Sequence, residues 1–323
     1  MPERVLITGA AGFLGSNLAR RLAAQGVPLV LYDLRITESG QPDLPDGAVI
    51  PIRGDILDAR RLVEVIQAHH VELVVHLAAM LTADCERDPL LATKVNCAGA
   101  AAVFEAAAQH GVRRVLFGSS VAVFDADPDL PTGDGRPYRP TSVYGATKVY
   151  CELLAAAMRR ARPGLDLLGL RFGWVYGPGR DRGWTEIQEV INGFALEREI
   201  VPYPAFAQPH DWTYIDDAVD AIVSCMSSPA SGQIAYNVSG DYRRVNEAVA
   251  YLQRRFPHVQ AVSYNAELYP VGWQFTSDHI TAEAGFAFRV NLEEGLERTI
   301  AAVRAAHGLP ALPKPGGAGE PTS

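Results

Sequence analysis

The chain begins with a short apolar run that leads into three glycines spaced three residues apart. Residues 5–7 are apolar and mostly β-branched, and Gly9, Gly12 and Gly15 follow before a helix-like apolar pattern begins. This order predicts a buried strand, a tight turn and the start of a helix. Glycine lets backbone N–H groups approach a ligand closely, and the free N–H groups of a helix start attract anions. The segment therefore predicts a turn that binds a pyrophosphate.

A second apolar run extends this pattern toward a dinucleotide-binding unit. Residues 29–32 form another predicted strand, and Asp33 follows at its end. A carboxylate at this distance from a glycine turn accepts hydrogen bonds from an adenosine ribose and repels a 2′-phosphate. We therefore expect NAD to be bound in preference to NADP. Arg35 would weaken that preference if it faced the phosphate, although an exposed loop arginine is the simpler interpretation.

Bulk composition limits the classes of partner. The chain has 323 residues, enough for one large α/β domain or two smaller ones, and its formal net charge is −8. A negative charge argues against general binding to nucleic acid or to anionic membranes, because both need a basic surface. The four cysteines lack metal-ligand spacing, and neither a signal peptide nor a membrane-spanning run is visible. We expect a cytoplasmic protein with reduced thiols and no metal site.

Strand and helix patterns alternate through the first half of the chain. This alternation predicts right-handed crossovers and a Rossmann-type, doubly wound parallel sheet with helices on both faces. Within it we expect one long helix near residues 89–109. The regular alternation of strand and helix patterns ends after Gly173. This change predicts a smaller mixed C-terminal substrate lobe and a Pro-rich loop over residues 201–209. The predicted boundaries are 1–172 for the NAD-binding domain, with 212–238 returning to it, 173–211 and 239–308 for the substrate lobe, and 309–323 for a disordered tail.

Tyr144 and Lys148 stand four residues apart in a helical pattern, which places both side chains on one helix face. An ammonium beside a phenol stabilises the phenolate and lowers the pKa of the phenol, so such a tyrosine exchanges protons with a substrate hydroxyl. Taken alone, the spacing is better explained by an ordinary Tyr–Lys pair on a solvated helix face. Ser119 and Ser120 favour the catalytic interpretation, because they end the preceding strand at the edge where open parallel sheets bind ligands.

Taken together, these motifs resemble the extended short-chain dehydrogenase/reductase family, also called the NAD-dependent epimerase/dehydratase family. The resemblance extends to about Ala306. It rests on the segments Thr8–Gly15, Gly54–Asp58, His76–Ala79, Val95–Gly99, Ser119–Ser120, Tyr144–Lys148, Leu170–Arg171, Tyr176–Pro178 and Tyr214–Ala218.

The resemblance implies a role for each matching position. Ser120, Tyr144 and Lys148 would be catalytic, and Lys148 would also bind the nicotinamide ribose. Asp55 and Ile56 would face the adenine. The other implied NAD-binding residues are Gly9, Gly12, Phe13, Leu14, Gly15, Asp33, Leu77, Ala78, Ala79, Asn96 and Tyr144. The resemblance further implies a homodimer that pairs the Ala-rich helices near residues 98–108 and 149–158 in a four-helix bundle.

Departures from the family pattern concern the substrate. Members that act on nucleotide sugars usually carry an Asn after the strand ending at Arg171 and an Arg before Asp211, but this chain has Trp174 and His210 there. A mostly neutral imidazole is a poorer phosphate clamp than a guanidinium. Residues 121–122 are Val-Ala, whereas the dehydratase branch has an Asp-Glu pair, so we expect no elimination reaction.

Three hypotheses remain open. The leading one is an NAD-dependent dehydrogenase of a secondary alcohol in a small non-nucleotide metabolite, such as a sugar, a sugar acid or a related polyol. The alternatives are a nucleotide-sugar 4-epimerase with tightly bound NAD and a non-enzymatic dinucleotide sensor. We expect Ser119, Trp174 and His210 to contact the substrate, although packing explains some aromatic residues of the lobe equally well. The aromatic and imidazole side chains expected around the substrate are Trp174, Trp184, Tyr203, Phe206, His210 and Trp212, and core packing explains Phe206 and Trp212 at least as well.

Overall fold

Seven parallel strands form the main sheet of the computed structural model. The structure describes residues 4–37, 49–124, 132–183, 185–206, 208–265 and 274–313. Numbered in chain order, the strands of this sheet are β1 (Val5–Thr8), β2 (Leu29–Asp33), β3 (Val49–Arg53), β4 (Leu73–His76), β5 (Arg114–Ser120), β6 (Asp166–Phe172) and β10 (Ala235–Val238). Their order is β10-β6-β5-β4-β1-β2-β3, so the winding reverses between β1 and β4. This confirms the predicted doubly wound sheet.

Helices cover both faces of the sheet, and others belong to the second lobe. In the described part of the chain they are α1 (Phe13–Ala24), α2 (Ala59–Ala68), α3 (Thr82–Arg87), α4 (Pro89–Ala92), α5 (Gly99–Gln109), α6 (Val143–Ala161), α7 (Glu186–Ala195), α8 (Ile215–Ser227), α9 (Val245–Arg255), α10 (Asp278–Ala284) and α11 (Leu292–Ala306). Helices α1 and α8 pack together on one face, and α2, α5 and α6 cover the other. Strands β1 and β4 are completely buried between these layers, as expected for a central parallel pair.

The helix expected over residues 89–109 is not regular. A π-helical segment, Thr93–Ala98, separates α4 from α5 and adds a residue to the turn. Such wide turns are common at functional sites because they redirect a side chain without ending the helix. By length and mean hydropathy alone, Pro89–Gln109 is apolar enough to cross a membrane, but core helices of soluble proteins pass the same test.

Two small sheets build the second lobe. Strands β7 (Val175–Tyr176), β9 (His210–Tyr214) and β11 (Asp241–Arg243) form a mixed sheet, and β8 (Ile200–Pro204) pairs in parallel with β12 (Gln260–Tyr264). The prediction of a Pro-rich loop over residues 201–209 is therefore wrong for residues 201–204, which belong to β8. Proline is tolerated in β8 because this strand has only one partner and lies at a sheet edge.

The predicted domain boundaries remain a prediction. In the structure, β10 pairs with β6 and so belongs to the main sheet, while α7, α9 and α11 pack on one another in the second lobe. Of the tail expected over residues 309–323, residues 314–323 lie outside the described part of the chain.

Candidate active site

The glycine turn between β1 and α1 lies where the winding of the sheet reverses. Gly9 has a φ of +71°, and a Cβ on it would lie 2.6 Å from the backbone nitrogen of Ala78. A Cβ on Gly15 would overlap the carbonyl oxygen of Gly9. Both positions require glycine because the turn, the helix and the loop after β4 touch backbone to backbone.

Helix α1 begins directly after this turn and presents an anion-binding end. Gly12 is its N-cap, and no side chain caps the helix. The N–H groups of Phe13, Leu14 and Gly15 therefore lack acceptors within the helix, and the helix dipole adds positive potential. A Cβ on Gly12 would meet only the Gly9 carbonyl, at 3.1 Å, so the space beyond it is open. This set of donors fits the pyrophosphate of a dinucleotide.

Asp33 ends β2 beside the glycine turn. Its carboxylate accepts hydrogen bonds from the backbone N–H of Ala11 at 3.1 Å and of Arg35 at 2.8 Å. The Arg35 guanidinium lies 3.8 Å from the same carboxylate and donates to the Ala11 carbonyl at 3.0 Å. Arg35 is exposed, as the simpler interpretation expects, and it also holds the turn through Ala11. Asp33 is placed to accept from ribose hydroxyls.

The residues expected on the adenine side follow β3. Asp55 is exposed, and its carboxylate accepts from the backbone N–H of Leu57 at 2.9 Å. The hydroxyl of Tyr32 donates to the Asp55 carbonyl at 2.8 Å and holds this segment against β2. Ile56 is buried under Gly99, where a Cβ would lie 3.0 Å from Ile56 Cγ2. The Asp55 side chain is accessible to a ligand, whereas Ile56 offers only its backbone.

The loop after β4 forms the other wall of this cleft. Leu77, Ala78 and Ala79 are half-buried there. The next residue, Met80, is held by Asn96, whose Oδ1 accepts from the Met80 N–H at 2.8 Å and whose Nδ2 donates to the Met80 carbonyl at 3.1 Å. Asn96 lies in the π-helical segment and is itself buried. Its amide therefore shapes the wall through Met80, and direct contact with a cofactor stays a prediction.

Tyr144 and Lys148 lie on one face of α6, against the end of β5. The Lys148 Nζ lies 5.4 Å from the centre of the Tyr144 ring. The same ammonium donates to the carbonyl of Gly118 at 2.7 Å and is almost completely buried. This hydrogen bond fixes the positive charge beside the phenol instead of leaving it in solvent, so the pair is not an ordinary solvated one.

Ser120 lies at the same edge of the sheet. Its hydroxyl accepts from the backbone N–H of Ala122 at 3.2 Å and caps a single 3₁₀ turn. The first turn of α6 packs on that turn, because a Cβ on Gly145 would overlap the Ala122 carbonyl. Gly145 follows Tyr144 directly, so the tight contact brings the tyrosine to the side of the sheet where Ser120 ends β5.

Helix α6 carries a further buried charge beside the candidate site, Glu152, that the sequence motifs did not include. Glu152 is fully buried, and its two oxygens accept from the Arg171 guanidinium at 2.9 and 2.7 Å. Ser119 donates to the same carboxylate at 2.5 Å, and Tyr138 donates to it at 2.8 Å. Four-residue spacing was the available signal, since Glu152 follows Lys148 by the same step that separates the Tyr–Lys pair. The Ser119 hydroxyl is occupied here, and its substrate contact stays a prediction.

His76 ends β4 next to the lysine. Its Nδ1 lies 2.7 Å from the hydroxyl oxygen of Thr8, which fixes the imidazole in the wall between β1 and β4. Burial, with a smaller contribution from the charge of Lys148, lowers the pKa of His76 to about 3. The imidazole is therefore neutral at the pH of a cell, and it adds no second cation beside Lys148.

Trp174 and His210 lie in an aromatic cluster of the second lobe. The Trp174 ring lies 5.3 Å from His210 and 5.0 Å from Trp212, and Phe206 lies 5.0 Å from His210. Trp174 is 7% exposed and His210 is 4% exposed, and burial lowers the pKa of His210 to about 4. These two side chains pack mainly on their neighbours, and their contact with substrate stays a prediction. Trp184 lies outside the described residues.

Asp211, beside this cluster, is a buried carboxylate that joins three segments. It accepts from the Gly240 N–H at 2.5 Å and from the hydroxyls of Ser239 at 3.1 Å and Thr213 at 3.3 Å. The carboxylate also fills the space that a side chain on Gly173 would occupy. Burial raises the pKa of Asp211 to about 7, although these hydrogen bonds act in the opposite direction. The segments after β6 and β10 are thereby tied to β9.

The described residues contain no group of three or more His, Cys, Asp or Glu side chains placed to bind a metal ion. Cys85, Cys97, Cys151 and Cys225 are free, buried thiols, and burial raises the pKa of each. A thiol that stays protonated is a weak nucleophile.

Known proteins resemble this chain in sequence and structure. The model of the NAD-dependent epimerase/dehydratase family matches residues 5–239. A UDP-glucose 4-epimerase from Mycolicibacterium smegmatis is 34% identical over 245 residues, which are 73% of this chain and 76% of that protein. A mitochondrial L-threonine 3-dehydrogenase from Bos taurus is 30% identical over 281 residues, 82% of this chain and 71% of that protein.

A solved structure is similar over almost the whole chain. The UDP-glucose 4-epimerase of Thermus thermophilus, in complex with NAD, superposes with a TM-score of 0.81 at 25% identity. The match covers 94% of this chain and 99% of that structure, so it spans both lobes.

Proposed function

Because the chain belongs to the NAD-dependent epimerase/dehydratase family, we propose that it is an oxidoreductase that moves a hydride between NAD and a secondary alcohol. The substrate is a small non-nucleotide metabolite, such as a sugar, a sugar acid or a related polyol. One observation carries this proposal. The hydrogen bond from Lys148 to the Gly118 carbonyl, at 2.7 Å, holds an ammonium beside the ring of Tyr144 at the ligand-binding edge of the sheet.

The coenzyme site follows from the donors around the glycine turn. The N–H groups at the start of α1 hold the pyrophosphate, Asp33 holds the adenosine ribose, and Lys148 holds the nicotinamide ribose. Leu77, Ala78 and Ala79 line the path between the two ends. NAD, when bound, supplies the acceptor for the substrate hydride.

Side chains of α6 and β5 position the substrate hydroxyl and transfer its proton. In the direction of oxidation, the Tyr144 phenolate takes the hydroxyl proton of the substrate while the hydride leaves the carbon that carries the hydroxyl. Ser120 holds the substrate oxygen, and the Lys148 ammonium stabilises the phenolate before the transfer. In the direction of reduction, Tyr144 returns the proton to the oxygen. A positioned acid/base of this kind contributes roughly 10²–10⁴-fold to the rate.

The second lobe favours a non-nucleotide substrate. His210, at the position where nucleotide-sugar enzymes carry a phosphate-binding arginine, is neutral and buried among aromatic rings. Trp174 is likewise buried, so neither side chain offers charge to a diphosphate. The alternative is a nucleotide-sugar 4-epimerase, which the similarity to the mycobacterial UDP-glucose 4-epimerase favours. The similarity to L-threonine 3-dehydrogenase favours net oxidation.

One screen separates the dehydrogenase from the epimerase. Purified protein and NAD are mixed with alcohols, sugars, sugar acids, polyols and nucleotide sugars, and absorbance of the reduced nicotinamide is followed. We expect steady accumulation of NADH with a non-nucleotide alcohol. An isomerised nucleotide sugar without net NADH would establish the epimerase instead. Binding of NAD without turnover of any compound would support a sensor.

We also propose that the chain forms a homodimer through the outer faces of α4, α5 and α6. Tyr150 and Leu153 of α6 are 44% and 53% exposed, and Leu90 and Leu91 of the neighbouring α4 are exposed as well. Apolar side chains clustered on adjacent helices are typical of an interface, and a second copy would pair α5 and α6 across a two-fold axis in a four-helix bundle.

The cytoplasmic location stays a proposal as well. Four buried, unpaired cysteines suit a reducing compartment. Cell fractionation tests it, and recovery of the protein from an oxidising compartment would contradict it.

A further inference from the structure

A glycine-rich loop carries an arginine from the second lobe toward the coenzyme site. The loop, residues 177–183, contains three glycines with positive φ: Gly177 at +143°, Gly179 at +87° and Gly183 at +82°. It contacts the loop after β4, because a Cβ on Gly183 would lie 3.1 Å from Leu81 Cδ1. The backbone path is one that only glycine adopts easily, so the sequence itself specifies where the loop lies.

Arg180 stands in the middle of this loop. Its guanidinium lies 5.6 Å from the centre of the Phe13 ring, at the start of α1, and it donates to the carbonyl of Val175. Burial lowers the pKa of Arg180 to about 10, although electrostatic interactions with Tyr144 and Glu186 act in the opposite direction. The side chain is therefore a cation at neutral pH, held against the coenzyme turn and interacting electrostatically with the predicted acid/base.

The charges at this end of the site favour an anionic substrate. Lys148 is fixed beside Tyr144, Arg180 lies against Phe13 and interacts electrostatically with the same tyrosine, and the oxidised nicotinamide is a third positive charge when NAD is bound. The pyrophosphate of NAD is already served by the N–H groups of α1. Positive charges that act on one site attract a negatively charged substrate more strongly than a neutral alcohol. A guanidinium binds a carboxylate through two parallel hydrogen bonds.

We propose that Arg180 binds a carboxylate of the substrate close to the reacting alcohol, and that it thereby selects hydroxy acids among secondary alcohols. The inference rests on the proposed function and narrows its substrate class to sugar acids and other hydroxy acids. Arg182, on the same loop, is 57% exposed and lies 3.9 Å from Asp84 at the surface, so it serves as the matched control.

Binding without turnover tests this directly. The Tyr144→Phe protein is loaded with NAD, and calorimetry measures the affinity for lactate, glycerate, threonate and gluconate and for the amide of each acid. We expect at least one acid to bind about 10- to 100-fold more tightly than its amide. Adding Arg180→Gln should remove that preference, Arg180→Lys should weaken it, and Arg182→Gln should leave it unchanged. Thermal unfolding of each variant checks that it is folded.

Several results would overturn the inference. No acid binding more tightly than its amide would do so, and so would a preference that survives Arg180→Gln. If Arg180→Gln weakens NAD binding but leaves the acid preference, the arginine holds the coenzyme and the inference is wrong. If Arg180→Gln does not fold, an unweakened preference in Arg180→Lys contradicts it. Failure of the proposed function is separate, because it appears as absence of NADH formation by the unmodified enzyme.

Discussion

We propose that a single carboxylate, that of Asp33, controls coenzyme choice. It accepts two backbone hydrogen bonds and lies 3.8 Å from the Arg35 guanidinium. We predict that Asp33→Ser raises the ratio of kcat/KM with NADP to kcat/KM with NAD by at least about 10-fold, because repulsion of the 2′-phosphate is lost and Arg35 becomes available to it. Steady-state kinetics with both coenzymes measures the ratio.

Arg35 provides the control for this experiment. Arg35→Gln alone should change the coenzyme ratio little, whereas Arg35→Gln combined with Asp33→Ser should lose most of the gain with NADP. An unchanged ratio in Asp33→Ser would show that the carboxylate does not face the ribose.

Asp211 leads to a prediction about pH. Burial raises its pKa from 3.8 to about 7 in the folded protein, so the folded state holds the proton more tightly than the unfolded state. Its contribution to the free energy of unfolding therefore falls as pH rises from about 4 to about 7, by at most about 1.4 kcal/mol per pH unit. Urea unfolding at about pH 5 and about pH 7 should show a larger loss for the wild type than for Asp211→Asn.

The comparison with the variant removes the effect of the neighbouring histidine. Because the pKa of His210 is lowered to about 4, its contribution to stability rises with pH over the same range. His210 is present in both proteins, so the difference between their slopes isolates Asp211. Equal slopes would contradict the raised pKa.

At the scale of elements, α6 is fastened to the end of β5 by two contacts one helical turn apart. Lys148 donates to the Gly118 carbonyl, and Glu152 accepts from Ser119. Glu152 also pairs with Arg171, and both side chains are almost completely buried. The buried ion pair therefore joins α6 to β6, and its carboxylate also holds Ser119 at the end of β5.

We predict that Glu152→Gln lowers the free energy of unfolding by about 3–5 kcal/mol, because it leaves the Arg171 charge buried without its partner. Chemical denaturation measures the loss. The surface pair of Glu105 and Arg162, with both side chains 42% exposed, offers the matched control, and Glu105→Gln should cost less than about 1 kcal/mol. Equal costs for the two substitutions would argue against a structural role for the buried pair.

The sequence predicted those helices, strands and turns that are specified by residues close together in the chain. The glycine turn and the Tyr144–Lys148 spacing are patterns within one or two helical turns. The sequence therefore predicted correctly that a helix follows the turn and that Tyr144 and Lys148 lie on a helix. The pairing of β8 with β12 joins residues about 60 positions apart and left no local pattern beyond two prolines. The π-helical turn at Asn96 depends on contacts with Met80 and Thr147, which the sequence does not show.

At the scale of the whole molecule, the order of the motifs was more informative than any one of them. The predicted family and its NAD-dependent chemistry are confirmed by the match over residues 5–239, and the predicted fold by the seven-stranded sheet. The substrate could not be predicted in the same way. No local pattern in the sequence indicates that Arg180, on a loop of the second lobe, lies against Phe13.

The proposed dimer gives a prediction at this scale. Tyr150→Asp combined with Leu153→Asp should convert a dimer into a monomer, because two charges would be buried in an apolar interface. Sedimentation velocity at micromolar concentration measures the state. Val262→Asp, at another exposed apolar position on β12, should leave the dimer intact. A monomeric wild type would end this proposal.

The proposed proton transfer depends on the hydroxyl of Tyr144. Tyr144→Phe keeps the ring beside Lys148 and removes only the group that exchanges the proton. With the alcohol identified by the screen, we predict that kcat falls by about 10²–10⁴-fold while the affinity for NAD stays near that of the wild type. A Tyr144→Phe enzyme that forms NADH at the wild-type rate would contradict the proposal that Tyr144 is the acid/base.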